Sequence, residues 1–170
     1  MTYVETIFIN KWYGWFLGRK FPCSVGWGGI KQDKTEGDGV TPAGVYRLEK
    51  VMYRPDRIPQ NDLPRQTIPI RKRHIWSDDP LDPQYNNLLL KDRNWQFSHE
   101  LMFRADSLYD LVIPIDFNRH NPKPGKGSAI FLHVWRGPRI PTAGCVAVDL
   151  EVLLWITSNL TKGTYIAICD

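Results

Sequence analysis

The sequence predicts a mainly β domain with a single helix near its C-terminal end, and three observations carry that prediction. Apolar residues recur in short runs, many alternating with polar ones, between clusters of Gly, Pro, Asn and Asp. A helical period shows over one stretch, opening at Asp149. The chain has 170 residues, enough for a core of its own, and shows no internal repeat or change of composition. Residues 1–170 therefore read as one domain.

The elements follow in order. Val4-Glu-Thr-Ile-Phe-Ile9 and Trp12 to Leu17 read as strands joined by a hairpin turn at Asn10-Lys11, and Phe21 to Val25 as a third short strand. Lys31 to Gly44 is a polar, glycine-rich loop able to approach a ligand closely and shape a cleft; it lacks the spacing of a phosphate loop. Val45-Tyr-Arg-Leu48 is a strand. Residues 54–87 carry Pro55, Pro59, Pro64, Pro69, Pro80 and Pro83, which predicts a long irregular excursion, kept from disorder by Trp76 and Tyr85. Ser98 to Tyr109 reads as a short helix or irregular turn. Leu111 to Phe117 is a strand that Pro114 places near a sheet edge.

Ala129 to Trp135 alternates, with Phe131, His133 and Trp135 on one face and Ile130, Leu132 and Val134 on the other. Asp149 is the N-cap of a largely buried helix through Leu150, Val152, Leu153, Leu154 and Ile156 that stops near Gly163. Thr164 to Ile168 closes the chain as a strand.

Composition narrows the function. The chain is 42% apolar and 24% charged with a net charge of +4, and Arg71-Lys72-Arg73 is its longest basic run. Such a triplet reads as solvated surface, so no nucleic-acid partner is expected. Three cysteines, Cys23, Cys145 and Cys169, are an odd number, against a disulfide framework. Cys23 and Cys169 read as buried free thiols, with pairing of the terminal strands the alternative. No secretory signal precedes the apolar stretch and no run reaches membrane-spanning length. The expectation is a soluble monomer of the cytoplasm, or of the periplasm if the natural N-terminus carries a removed signal.

Chemistry concentrates in Ile130 to Ala147. His133 stands twelve positions ahead of Cys145, which closes the loop Pro141-Thr-Ala-Gly144. A thiol is a strong nucleophile as its thiolate, and an imidazole is the usual proton acceptor. A strand carrying the histidine, a loop, and a cysteine on the way back would bring the two together. Gly144 frees the backbone to turn, and N–H groups around Gly144 and Cys145 could hold an oxyanion. Papain-like enzymes place the cysteine before the histidine, and sortase-like enzymes need an arginine on a later strand. Here the histidine comes first at close range, and no arginine follows the helix. The four histidines show no paired metal-ligand spacing.

Gly127-Ser-Ala-Ile-Phe-Leu-His133, followed by Pro141-Thr-Ala-Gly-Cys-Val146, resembles the active-site signature of the YkuD family of L,D-transpeptidase catalytic domains. The similarity extends through Glu36-Gly-Asp-Gly-Val-Thr-Pro-Ala-Gly44, Tyr53-Arg-Pro-Asp-Arg57, Asp78-Asp-Pro80 and Tyr85-Asn86, as in a small single-domain branch of the family. The resemblance implies a β-sandwich or rolled mixed sheet with one helix after the cysteine. It implies that Cys145 attacks the L,D bond of a peptidoglycan stem tetrapeptide, with release of D-alanine. His133 would serve as proton acceptor, and no metal or organic cofactor is implied. An amine acceptor gives a cross-link and water gives trimming. A cytoplasmic L,D-carboxypeptidase of peptidoglycan recycling is one alternative. A non-catalytic cell-wall-peptide binding protein is another.

One departure stands out. Many members carry an arginine two places after the cysteine, where this chain has Ala147, and Thr142-Ala143 replaces a Ser-His pair. Arg136 or Arg139 is expected to bind the substrate carboxylates instead. Trp135, Trp76, Tyr85 and Asp116 are candidates for the cleft wall. Ser128 and Thr142 are candidates to orient His133, a role a backbone carbonyl would fill equally.

Overall fold

The computed structural model describes residues 5–170. A meander of β1 (Thr6–Ile9), β2 (Tyr13–Phe16) and β3 (Arg19–Pro22) opens the fold. Next come β4 (Ile30–Lys31), β5 (Thr41–Pro42), β6 (Gly44–Arg47), β7 (Val51–Tyr53), β8 (Thr67–Pro69), β9 (His74–Ser77), β10 (Leu88–Leu90), β11 (His99–Leu101) and β12 (Leu111–Pro114). The chain ends with β13 (Phe131–Val134), β14 (Val146–Val148), helix α1 (Leu150–Ser158) and β15 (Tyr165–Ile168). Among the described residues no helix is long and apolar enough to cross a membrane.

Two five-stranded sheets dominate, ordered β3-β2-β1-β15-β6 and β14-β13-β12-β7-β8; β10-β9-β11 and β4-β5 form two smaller ones. The main core lies between the large sheets. Ile7, Ile9, Ile166 and Ile168 come from one, Leu111, Ile113, Leu132, Val134 and Val146 from the other, and Val152, Leu153 and Ile156 from α1. The second sheet is buried on its far face too, where Met52, Val112 and Phe131 pack with Trp76, Met102 and Tyr109. Period-two alternation therefore feeds two cores from the same strands. The fold is mainly β, with one α-helix in the described chain, as expected.

Local chemistry sets the boundaries. Asn10 Oδ1 accepts from the N–H groups of Trp12 and Tyr13 at 2.9 and 2.8 Å, closing the first hairpin. The second turns at Leu17-Gly18, both with positive φ (46° and 77°), so the third strand begins at Arg19, ahead of the expected Phe21. Asp149 caps α1 by accepting from Glu151 N–H at 2.9 Å. The helix ends at Ser158, short of Gly163, where Asn159 turns its N–H back to Ile156.

Four expectations are corrected. The 54–87 segment is not irregular throughout: it supplies β8 and β9, and Trp76 and Tyr85 are buried. Its strands are too short, and its prolines too frequent, for a periodic signal. No helix forms over 98–109; β11 pairs with β9, and Asp106 holds a turn through Arg104 and Leu108 N–H. Strand β12 is central rather than at an edge. Pro114 is tolerated because it ends the strand, on the side where its carbonyl accepts from Glu49, beyond the β7 ladder. The described cysteines are free, Cys23 buried and Cys169 exposed, so Cys169 departs from the buried expectation.

Burial on both faces of the second sheet makes its central strands the most sensitive part of the fold. Leu132→Ala should cost about 2–5 kcal/mol of unfolding free energy, whereas Val45→Ala, on an exposed position, should stay within about 0.5 kcal/mol. Urea unfolding followed by fluorescence reads both; similar costs would refute this assignment of the core.

Candidate active site

Strands β13 and β14 are parallel neighbours, with His133 opposite Ala147 and Leu132 opposite Val146. The cysteine therefore does not lie on an antiparallel return. The chain crosses over through residues 135–144, as a parallel pair requires, and re-enters at the level of Phe131. The crossover is pinned by backbone bonds: Trp135 N–H to Val148, Thr142 N–H to Val25, and Trp27 N–H to Thr142.

The turn before Cys145 is built around Thr142. Its Oγ1 donates to the Cys145 carbonyl at 2.6 Å and accepts from Gly144 N–H at 3.1 Å. Gly144 has φ 139°, and a Cβ there would lie 3.0 Å from the Val40 carbonyl oxygen, so glycine is required for conformation and space. Since the Gly144 N–H is engaged, the donor left for an oxyanion is the Cys145 N–H, which makes no hydrogen bond among the described residues.

The thiol is satisfied by backbone. Cys145 Sγ donates to the Ala129 carbonyl at 3.2 Å and accepts from Phe131 N–H at 3.3 Å, so neither bond goes to His133. Burial pushes its pKa up to about 12, Glu100 adds to the rise, and Phe131 N–H and Lys34 oppose it. His133 is buried, with Nδ1 2.7 Å from the Val134 carbonyl. A carbonyl only accepts, so Nδ1 carries the proton and Nε2 keeps the lone pair. Burial pushes the imidazole pKa down to about 4, partly opposed by the Val134 and Leu108 carbonyls. The Tyr109 ring packs edge-on against it at 5.4 Å. The resting pair is a neutral thiol and a neutral imidazole.

Both residues line one cavity of about 460 Å³. Ser128, Arg136, Thr142 and Gly144 line it as well, together with Lys34 and Glu36 from the glycine-rich loop. Ser128 does not orient His133; its Oγ donates to Glu36 Oε2 at 2.8 Å. The Val134 carbonyl does that work. Arg139 lies over the Trp12 ring at 5.8 Å in a neighbouring groove, and Trp135 is half-buried outside the cavity wall. Trp76 is core, and Tyr85 donates to Glu36 while accepting from Gly127 N–H. Asp116 accepts from Arg47 N–H in a different groove.

Sequence reading missed the far wall. Tyr109 Oη donates to Glu100 Oε1 at 2.9 Å, Arg104 pairs with Glu100 at 3.4 Å, and Asp78 Oδ1 is buried without a partner among the described residues. Glu100, Arg104 and Tyr109 come from β11 and the turns after it, which carry no spacing signal, and Asp78 follows β9; only the fold brings them to one wall of the cavity. Among the described residues, no group of three or more His, Cys, Asp or Glu is placed to hold a metal ion.

Neutral burial of His133 has a pH consequence. An unfolded histidine takes up a proton near 6.5, and His133 only near about 4 in the fold. Between these values the unfolded chain holds more protons, so stability is lost as the pH is lowered through that window, by at most about 1.4 kcal/mol per pH unit. Urea midpoints from about pH 7 to about pH 4 should fall more steeply for wild type than for His133→Gln. Parallel curves would mean that the imidazole is not held neutral.

The family model described as the YkuD L,D-transpeptidase catalytic domain matches residues 12–168. No curated protein sequence matches the chain. Among solved structures, the helical cell shape determining protein Pgp2 from Campylobacter jejuni is similar at 16% identity and TM-score 0.48, over 97% of this chain and 47% of that one. An L,D-transpeptidase from Mycobacterium smegmatis is similar at 12% identity and TM-score 0.43, over 97% and 58%. The chain spans about half the length of these two proteins.

Proposed function

Since the chain belongs to the YkuD family of L,D-transpeptidase catalytic domains, we propose that it is a cysteine acyl-transfer enzyme acting at the L,D bond of peptidoglycan stem tetrapeptides. The observation that carries this reading is the shared cavity: one thiol, one neutral imidazole whose Nδ1 is held by the Val134 carbonyl, and one unengaged N–H at the nucleophile.

Cys145 Sγ leaves its backbone bonds and attacks the carbonyl of the third stem residue, whose bond to the terminal D-alanine then breaks. The wide gap between a thiol near 12 and an imidazole near 4 disfavours a standing ion pair. The proton therefore passes to His133 Nε2 as the carbon–sulfur bond forms. Negative charge moves to the former carbonyl oxygen, which the Cys145 N–H receives. His133 then protonates the departing amine, D-alanine leaves, and a thioester remains. An incoming amine or water, deprotonated by His133, attacks the thioester and frees the thiol. Arg136, on the cavity wall, receives a substrate carboxylate.

The test is mass spectrometry of a disaccharide tetrapeptide with and without a D-amino acid acceptor. Wild type should release D-alanine and Cys145→Ala should not. His133→Ala should lower kcat/KM by about 10²–10⁴-fold, and Arg136→Gln should act mainly through KM. Release in water alone would make the enzyme a carboxypeptidase; exchange or dimer formation would make it a transpeptidase. A folded wild type that changes no substrate would overturn the reading in favour of a binding protein.

A further inference from the structure

Lys34 sits in the loop between β4 and β5, its side chain only 3% exposed. A lysine buried so deeply keeps its charge only when partnered. Nζ donates to Asp38 Oδ1 at 2.8 Å and to the Thr35 carbonyl at 3.5 Å. An ammonium has three N–H donors, so one remains for the cavity that Lys34 lines.

Two glycines make room for this cation. A Cβ on Gly127 would lie 2.8 Å from Lys34 Cε, and one on Gly144 would lie 3.4 Å from Lys34 Nζ. The stem thus passes against Gly127, and the ammonium comes to rest against the residue before the nucleophile.

The partner does not cancel its field in the cavity. Asp38 also accepts from Thr35 N–H at 2.7 Å and Val40 N–H at 2.9 Å, its side chain is 23% exposed, and it is not part of the cavity wall. Its charge is spread over amide donors and screened by water, whereas that of the buried ammonium is not. Other charges on the wall are Glu36, Asp78, Glu100, Arg104 and Arg136. Glu36 is held by Ser128 and Tyr85, and Arg104 by Glu100 and Asp106. Lys34 is the cation that opposes Glu100 at the Cys145 thiol. Ala147 contributes no charge.

We propose that Lys34 is the positioning cation of the nucleophile turn: held against Gly127 and Gly144, its ammonium favours negative charge at Cys145, on the thiolate and on the oxyanion of the acyl adduct. The oxyanion part rests on the acyl-transfer reading above; the thiolate part does not.

The test uses two alkylating reagents of similar size, anionic iodoacetate and neutral iodoacetamide, on the intact protein at about pH 9. Peptide mass spectrometry gives their rate ratio at Cys145, with the exposed Cys169 as internal reference. Lys34→Gln should lower the iodoacetate-to-iodoacetamide ratio at Cys145 by about fivefold and leave that at Cys169 unchanged. Lys34→Arg keeps a cation beside Asp38, so its ratio should stay near that of wild type. A folded Lys34→Gln protein with the wild-type ratio would overturn the proposal. Should Lys34→Gln not fold, a folded Lys34→Met protein with the wild-type ratio would overturn it. Neither ratio depends on tetrapeptide turnover, so the two readings fail separately.

Discussion

Everything in this molecule that bears on chemistry depends on β13 being buried on both faces. Leu132 and Val134 enter the core between the large sheets, while Phe131 and His133 point the other way. A strand with one solvated face can slip, at the cost of moving its apolar side chains. A strand with two buried faces has no such freedom, because a one-residue shift would drive His133 into the main core. The imidazole therefore takes its position from packing energy distributed along the sheet. One hydrogen bond, Nδ1 to Val134, then fixes the ring and its tautomer.

The nucleophile is placed by a different device. Cys145 lies at the mouth of β14, and its turn is fastened to segments far away in the chain. Thr41 Oγ1 reaches both Gly26 N–H and the Cys145 carbonyl, and the Ser24–Ala147 bridge pairs β14 on its outer side. Hydrogen bonds in this buried region need no competition with water. The glycines there answer to space: Gly26 brings its Cα so close to Gly39 that a Cβ would fall 1.9 Å from the Gly39 carbonyl oxygen. The Thr-Ala-Gly-Cys turn is thus held in place by the segment between β3 and β4 and by Thr41 of β5.

How much of this was legible in the sequence follows from whether a signal is local. The β13 alternation and the Asp149 cap could be read because each is written within a few residues. The same holds for the Asn10 turn and for the joint importance of His133 and Cys145. The three-stranded sheet over 74–101 could not, since its strands are only three or four residues long and pair across irregular connections. The parallel pairing of β13 and β14 also escaped notice. A loop between two short strands looks alike whether the chain turns back or crosses over. The cavity wall opposite Cys145 was invisible for the same reason: Glu100, Arg104 and Tyr109 carry no motif, and the fold alone brings them there. Lys34 lies beside the quoted Glu36 to Gly44 segment, yet nothing in its neighbours announces that it is buried.

The electrostatic state of the site follows from that enclosure. Burial raises the cost of either charged form, which is why the thiol moves up and the imidazole down. A preformed thiolate–imidazolium pair would have to offset two desolvation costs at once, and the thiol already has both its hydrogen-bond roles filled by Ala129 and Phe131. The site is therefore quiet until something displaces those backbone bonds. An incoming acyl group supplies an electrophile and a carbonyl oxygen that can accept from the Cys145 N–H. Charge then develops on an atom that meets a waiting donor, so stabilisation arrives with the transition state rather than before it. Enclosure that suppresses idle reactivity of the thiol also strengthens each dipole once the reaction begins.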